Sequence, residues 1–419
     1  MKKYENYKDS GLEWLGMVPE HWGIVPLKYL LSEPLQYGAN ESADNCNPSE
    51  PRYIRITDIT EDGKLRKSTY RTLPYQKAEG YMLKKGDILF ARSGATVGKT
   101  FIFEEDYDAC FAGYLIKASC NEKLLPMFLY YFTSSNSYEN WKNSTFNQAT
   151  IQNIGADKYC TLPIPTPSSE EQEGIINFLS HNVAQIDALI SEKEKMVEDL
   201  KAYRSSLITE TVTKGLDKGV EMKDSGVEWI GKMPQNWKLL KLKRIVNLKS
   251  GTSLTSDRIL DEGKYQVFGG NGPRGYIDDY TNEGNFVLIG RQGALCGNIN
   301  YANGKFWATE HAIICYPLKE IDTIWLGETL RAMNLNQYSI SAAQPGLAVE
   351  RINELLIPTP SISEQKEISS YLKLKITQIE SAISEQEHQL SDLKSYTSSL
   401  ITEAVTGKID LRDWQTKKS

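Results

Sequence analysis

Residues 165–217 read PTPSSEEQEGIINFLSHNVAQIDALISEKEKMVEDLKAYRSSLITETVTKGLD, and residues 358–410 read PTPSISEQKEISSYLKLKITQIESAISEQEHQLSDLKSYTSSLITEAVTGKID. The two stretches align without a gap, with about half of the positions identical. Both open on P-T-P-S, carry D-L-K-x-Y in the middle and end near S-S-L-I-T-E. Pro165 and Pro167 exclude a helix up to that point, and Ser168 or Ser169 with Glu171 and Gln172 supplies the capping residues for one to begin. Apolar residues then recur by alternating threes and fours: Ile176, Leu179, Val183, Ile186, Ile190, Val197, Leu200 and Leu207 in the first copy. The second copy gives Leu372, Ile376, Ile379, Ile383, Leu390, Leu393 and Leu400. Heptad spacing of this kind predicts a long helix with one narrow apolar seam in each copy. Each helix runs about 40 residues, or roughly 60 Å at 1.5 Å per residue.

The seam is interrupted at matching places, by Lys193 and Arg204 in one copy and Gln386 and Thr397 in the other. Matching interruptions point to one shared interface, while Glu192, Glu194 and Glu198 crowd the opposite side. The favoured reading is an antiparallel coiled coil between the two helices, relating the rest of the chain by a pseudo-two-fold axis. The alternative is that each helix packs on its own domain.

A second repeat lies outside the helices. Lys8–Trp22 reads KDSGLEWLGMVPEHW and Lys223–Trp237 reads KDSGVEWIGKMPQNW. The offset is 215 residues here and 193 in the helical pair, so the stretch between the shared pieces is 22 residues longer in the first half. A duplicated frame thus holds two inserts of different length and mostly different sequence, the pattern expected of two readers with different targets on one scaffold. The inserts read as small mixed α/β (α+β) domains. Strands are expected at Tyr53–Ile59, Asp87–Ala91, Phe286–Gly290 and His311–Tyr316, and helices at Met127–Trp141 and Ile324–Met333. The domain boundaries drawn on this basis are 1–162 for the first insert domain and 163–222 for its helix. The second insert domain takes 223–355, and the second helix with the C-terminal tail takes 356–419.

Composition narrows the function. The chain has 419 residues, is 40% hydrophobic and 24% charged, and carries a formal net charge of −6. That is the balance of a soluble globular protein of two or three domains, and the mildly acidic total runs against a uniformly basic nucleic-acid binder. Basic and acidic residues are nearly equal in number within each insert, and much of the acidic surplus falls in the helical segment that starts near Ser168. Met1–Gly11 has no signal-peptide pattern and no run approaches the roughly 18 apolar residues of a membrane span, so a cytoplasmic protein is expected. Cys46, Cys110, Cys120, Cys160, Cys296 and Cys315 occur singly, and His21, His181, His311 and His388 show no metal-ligand spacing. Buried free thiols and no metal site are the expectation.

Three motifs imitate chemistry. Gly94–Thr100, GATVGKT, has three residues between its glycines where a phosphate-binding loop needs four, and FIFEEDY after it reads as a strand where that loop needs a helix. Phe268–Gly272, FGGNG, fits the loose glycine motif of adenine methyltransferases, but the catalytic N/D-P-P-Y/F element is missing from the sequence. Glu192–Lys195, EKEK, has nuclease-like residue types on the exposed side of a helix. No catalytic residue is assigned.

What remains is a match between the inserts. Arg92-Ser93-Gly94-Ala95-Thr96-Val97-Gly98 aligns with Arg291-Gln292-Gly293-Ala294-Leu295-Cys296-Gly297 as R-x-G-A-x-x-G after a strand. Two glycines bring backbone close to something and an arginine leads in, which suits a DNA phosphate or a guanine edge. A structural turn whose arginine caps a carboxylate is the alternative. Gln148-Ala149-Thr150 and Gln344-Pro345-Gly346 occupy matching places before each P-T-P, and glutamine can pair with adenine. The candidate DNA-binding residues are therefore Arg92, Ser93, Gly94, Lys99, Gln148, Thr150, Arg291, Gln292 and Gln344.

The K-D-S-G-x-E-W-x-G opening, the P-T-P-S-x-x-E-Q helix start and the S-L-I-T-E-A-V-T-G-K-I-D close (Ser399–Asp410) resemble the shared regions of Type I restriction–modification specificity subunits. Phe268–Asp278 and Gly86–Lys99 resemble motifs inside their target-recognition domains, and the likeness spans essentially the whole chain. The resemblance implies two target-recognition domains, each reading part of a split, asymmetric target in double-stranded DNA. It also implies paired helices that fix the spacer, carrying the docking positions Ile186, Ile190, Leu200, Ile379, Ile383 and Leu393. Partners implied are two modification (methyltransferase) subunits and restriction subunits, with no membrane. No cofactor is expected in this chain; S-adenosylmethionine, ATP and Mg belong to the partners. Two other readings are a duplicated coiled-coil protein-binding scaffold without a DNA role, and the specificity partner of a fused nuclease–methyltransferase.

Overall fold

The computed structural model describes residues 2–414 apart from 43, 61–62, 146–152, 294 and 340–345. Each heptad pattern forms one continuous helix, α1 (Ser169–Lys214) and α2 (Ile362–Val405). Ser168 and Glu171 close a capping box at the start of α1. The Ser168 hydroxyl accepts from the Glu171 amide at 3.2 Å, and the Glu171 carboxylate accepts from the Ser168 amide at 3.4 Å. Left-handed glycines follow both ends, Gly215 (φ 76°) after α1 and Gly407 (φ 70°) after α2.

The chain divides into two compact units, and the cut passes through both helices: Met1–Lys193 with His388–Ser419, and Glu194–Glu387. The boundaries read from sequence keep each helix whole, whereas each unit holds one insert, the first part of its own helix and the last part of the other. Antiparallel pairing produces this division. In the first unit Ile175, Phe178, Leu179 and Ile186 of α1 share a core with Leu400, Ile401, Ala404 and Val405 of α2. In the second, Ile208 and Val212 of α1 join Ile368 and Leu372 of α2. There the cross-helix ion pairs Lys201–Glu387 (3.0 Å) and Arg204–Glu380 (3.2 Å) show one number falling as the other rises. Both interruptions of the α1 seam are thus polar cross-helix contacts, since Lys193 Nζ donates to Gln389 Oε1 at 2.5 Å in the first unit.

The shared E-Q pair after P-T-P-S has a structural task in each unit. Trp22 and Trp237, 0% and 2% exposed, donate their indole N–H to Glu171 (3.4 Å) and Glu364 (2.9 Å). Gln172, fully buried, accepts from the Leu125 amide (2.8 Å) and donates to Lys123 and Pro167 carbonyls (2.9 and 3.1 Å). Gln365 accepts from the Asp322 amide (3.0 Å) and donates to the Pro360 carbonyl (3.1 Å). The glutamate therefore pins the duplicated tryptophan, and the glutamine pins the chain just ahead of the insert helix, Pro126–Thr133 or Thr323–Ala332.

The inserts share a sheet topology that their sequences do not reveal. In the first unit, strands β1 (Gln36–Tyr37), β2 (Arg52–Ile54), β3 (Ile88–Ala91), β4 (Thr100–Ile102), β5 (Ala109–Phe111) and β6 (Leu115–Ala118) form an antiparallel sheet β1-β6-β3-β4 and a parallel pair β2-β5. The second unit has β7 (Val246–Ser250), β8 (Tyr265–Gly269), β9 (Gly272–Ile277), β10 (Asn282–Gly290), β11 (Ile299–Ala308) and β12 (Ala312–Pro317), ordered β7-β12-β10-β11-β8-β9. One long strand, β11, covers the places of both β4 and β5, and its parallel partner β8 stands where β2 stands.

Two local expectations change. Tyr53–Ile59 is a strand only at Arg52–Ile54, because buried Asp58 accepts from the Arg55 amide (2.8 Å) and turns the chain into a 3-10 turn at Ile56–Asp58. Met127–Trp141 is two helices, Pro126–Thr133 and Asn136–Thr145, separated where Ser135 turns its hydroxyl onto the Phe132 carbonyl (2.6 Å). Of the cysteines, Cys110, Cys296 and Cys315 are buried, Cys120 and Cys160 half-buried and Cys46 exposed, all free thiols. Burial pushes the Cys110 thiol up to about 12.

Candidate nucleic-acid interface

The two R-x-G-A-x-x-G stretches fold into the same loop. In the first unit the Arg92 amide donates to the Tyr114 carbonyl (3.0 Å) and its carbonyl accepts from the Ile154 amide (2.9 Å). In the second the Arg291 amide donates to the His311 carbonyl (2.9 Å) and its carbonyl accepts from the Leu347 amide (2.9 Å). The next residue forms a single antiparallel bridge, Ser93 with Asn153 and Gln292 with Gly346. Each loop then closes on its own strand: Gly98 donates to Ala91, and Gly297 to Gly290, both at 2.8 Å. Positive φ explains the glycines, at 80° and 82° for Gly94 and Gly98 and at 89° and 86° for Gly293 and Gly297.

Both arginines are braced from matching strand ends. The Arg92 guanidinium lies 4.9 Å from the Tyr37 ring centroid, at the end of β1. Arg291 donates to the Ser250 hydroxyl at 3.3 Å, at the end of β7. Neither is paired with a carboxylate among the described residues, so the loop is not built around a buried ion pair. Each brace leaves guanidinium N–H groups for a ligand. Sequence reasoning missed Tyr37 and Ser250, which stand more than 40 residues from their arginines with no local signal. It also missed that Gln292 Oε1 stands 3.1 Å from His311 Nδ1.

Ser93 is half-buried and Gly94 exposed, while Lys99 is half-buried with its backbone closing the loop onto Ala91 (2.8 Å). Gln148, Thr150 and Gln344 lie outside the described residues. The segments they belong to lead into Asn153 and Gly346, the bridge partners of the arginine loops. The proposed docking positions are seam residues: Ile186, Ile379 and Ile383 are buried, and Ile190, Leu200 and Leu393 half-buried. They hold the helices together, so a partner would meet other faces, where Leu189, Met196, Tyr203, Leu374 and Tyr396 are exposed.

The imitation motifs resolve into backbone packing. Gly94–Thr96 is a single 3-10 turn that runs on toward strand β4. In FGGNG, a Cβ on Gly290 would stand 2.1 Å from the Gly270 carbonyl oxygen, so the hairpin between β8 and β9 lies directly against the arginine loop. Among the described residues no group of three or more His, Cys, Asp or Glu side chains could hold a metal ion, and no helix is long and apolar enough to cross a membrane.

Comparison with known proteins agrees with this architecture. The family described as Type I restriction modification DNA specificity domain matches twice, over residues 36–199 and 234–388. The Type I restriction enzyme EcoprrI specificity subunit of Escherichia coli is 29% identical over 327 residues, covering 76% of this chain and 79% of that one. The MjaVIII specificity subunit of Methanocaldococcus jannaschii is 25% identical, covering 98% of this chain and 97% of its own. Among solved structures, a chain from work on complex assembly and conformational transition of the type I R-M system has a TM-score of 0.73 at 16% identity, covering 93% of this chain and 98% of that chain. The HsdS subunit from Thermoanaerobacter tengcongensis has a TM-score of 0.51 at 17% identity, covering 94% and 98%. The two structures speak to the fold.

Proposed function

The chain belongs to the family of Type I restriction–modification specificity subunits, and on that premise we propose that it reads a split, asymmetric sequence in double-stranded DNA, one part with each insert. It is a non-catalytic subunit, and membership of this family favours that role over a scaffold without a DNA function. The observation that carries the reading is the pair of arginine loops. Two inserts of unlike sequence place an arginine on the same loop, with the same backbone hydrogen bonds and no carboxylate partner among the described residues. Unlike surroundings for a like device are what two different half-targets require, since phosphate contacts position and base contacts specify.

Two modification subunits and the restriction subunits assemble on the helices in this reading. Tyr203 and Tyr396 occupy the same position of D-L-K-x-Y, and both are exposed, at 56% and 52%. Surface aromatic rings repeated on a duplicated frame suit two copies of one partner. S-adenosylmethionine, ATP and Mg then belong to those partners, which carry the methyl transfer and the cleavage.

The test is long-read methylome sequencing of a host carrying the modification partner, with and without this gene. Adenine methylation at one split motif, present only with the gene, is the expected result. An unchanged methylome with an active partner would remove the DNA-reading role. Co-purification distinguishes a separate modification chain from a fused nuclease–methyltransferase.

A further inference from the structure

The hairpin between β8 and β9 carries an arginine that the loop comparison does not single out. The strands pair Val267 with Gly275, Phe268 with Pro273 and Gly269 with Gly272, so Arg274 is the extra residue of a β-bulge. Bulges of this kind re-aim a side chain at a sheet edge, and β9 is the edge strand. Arg274 is exposed and has no ion pair among the described residues. Its stem is nevertheless fixed. A Cβ built on Gly269 would stand 2.4 Å from Arg274 Cδ and 3.1 Å from Cγ, so the aliphatic chain lies across the bare face of that glycine.

The same hairpin is stitched to the arginine loop. A Cβ on Gly270 would lie 3.1 Å from the His311 carbonyl oxygen and 3.5 Å from that of Gln292, and Asn298 Nδ2 donates to Asn271 Oδ1 at 2.8 Å. The first unit handles the corresponding position in the opposite way. By register Arg55 stands where Gly269 does, one residue past the parallel pairing that ends at Ile54 in one unit and Phe268 in the other, and its guanidinium is locked on Asp58 by two bonds of 3.0 and 2.7 Å. Asp58 is 1% exposed, so that arginine is structural.

We infer that Arg274 is a DNA contact of the second insert, aimed by the bulge and seated on Gly269, with no counterpart among the described residues of the first. The inference rests on the DNA-reading role proposed above. The ligand chemistry is a pair of acceptors in fork geometry, which duplex DNA offers as phosphate oxygens or as O6 and N7 of guanine.

The experiment uses the chain in complex with its modification subunits. Binding is measured to duplexes bearing the methylome-defined target, intact or altered in one half. Arg274→Ala should weaken binding to the intact target about 10- to 100-fold, the range of one bidentate contact. Gly269→Ala removes no polar group and clashes only with a flexible stem, so it should fold normally and weaken binding in the same direction. The double variant should bind no worse than Arg274→Ala alone. A guanine contact predicts that Arg274→Lys loses nearly as much as alanine and that penalties for altering the second half flatten. A phosphate contact predicts that lysine restores most binding and that Arg274→Ala lowers the salt slope by about 0.9. Unchanged binding by Arg274→Ala, beside a wild-type complex that binds its target, would overturn the inference alone. So would additive loss in the double variant. A wild-type complex that binds no duplex would overturn the functional reading and this inference together.

Discussion

Replacing Gln172 by leucine tests whether the shared E-Q pair fastens each insert to its helix. Gln172 is fully buried and makes three hydrogen bonds, to the Leu125 amide and the Lys123 and Pro167 carbonyls. A neutral hydrogen bond is worth about 1 kcal/mol net, and a stranded buried backbone group costs about 1–3 kcal/mol. The Lys123 and Leu125 groups are only part-buried, so water softens their loss. Leucine keeps the volume, which leaves about 3 kcal/mol of destabilisation. At roughly 2–4 °C per kcal/mol for a unit of this size, the first unit should melt about 6–12 °C lower. Gln365→Leu loses two bonds and should cost about 2 kcal/mol in the second unit. Scanning calorimetry gives the size of each shift, and hydrogen exchange followed by mass spectrometry locates it. Protection should fall in residues 110–145 for Gln172→Leu and in residues 312–335 for Gln365→Leu. A shift corresponding to less than about 1 kcal/mol, or equal loss of protection from both units, would refute the fastening argument.

Three further outcomes are expected. Burial raises the Glu171 pKa, but hydrogen bonds from His21 and Trp22 prevail and hold it below the usual carboxylate value. Its contribution is therefore present above the ordinary range near about 4.3 and lost as pH falls through the folded pKa. Glu364 is raised by burial, with Glu367 and Asp217 adding to the shift, so its charge costs stability above the folded pKa and the cost fades on acidification. At pH 7, calorimetry should show Glu364→Gln neutral or stabilising and Glu171→Gln destabilising; a loss of equal size in both would contradict the sign. A Cβ on Gly38 would stand 2.4 Å from the Phe111 and Ala112 carbonyl oxygens, and one on Gly251 2.2 Å from that of Ala308. Backbone cannot give way there, so Gly38→Ala and Gly251→Ala should each cost about 2–4 kcal/mol in urea denaturation, and wild-type midpoints would disprove the close approach. The Asp410 amide donates to the Lys2 carbonyl at 2.9 Å, so a permutant joined from Trp414 to Lys2 by a short linker and opened between Lys218 and Gly219 should fold and direct methylation to the same motif. A permutant that folds but loses the motif would show that the chain ends themselves matter.

The frame was legible because its signals are local and repeated. Heptad spacing gave both helices, and matched interruptions at Lys193 and Arg204 gave the pairing, since a polar residue in a seam must find its partner across it. The inserts were less legible. Their common topology is carried by long-range pairings such as Arg52 with Ala109 and Gln266 with Phe306, where the residue types differ and only the register agrees. The R-x-G-A-x-x-G match was visible because positive φ demands glycine at fixed spacing. The braces at Tyr37 and Ser250 were not, because one acts through a ring and the other through a hydroxyl. Arg274 escaped for a related reason: what singles it out is the bare face of Gly269, visible only when the hairpin register is known.

The two units solve the same closure with different means, and the difference follows from how the chain runs through each junction. In the second unit a continuous peptide runs from α1 to the duplicated segment that starts at Met222. In the first, the same junction is made by contacts between segments far apart in the sequence, such as Tyr7 and Lys408. Their ordering entropy is not offset by a covalent link. The first unit accordingly carries polar contacts that the second lacks among the described residues. His21 reaches Glu171 at 2.9 Å, where Asn236 stands in the second copy. Arg412 pairs with Asp410 at 2.8 Å and lies 5.0 Å from the Tyr4 ring, and Lys2 pairs with Asp413 at 2.9 Å. Exposed pairs such as Lys2–Asp413 add little, typically under about 1 kcal/mol. The buried members matter more, because Glu171 and Asp410 have side chains 8% and 2% exposed and lose hydration unless partnered. The same glutamate thus sits in a cationic setting where distant segments meet and in an anionic one where the chain runs through. The frame motif is conserved between the copies in geometry, while its electrostatics follow the connectivity.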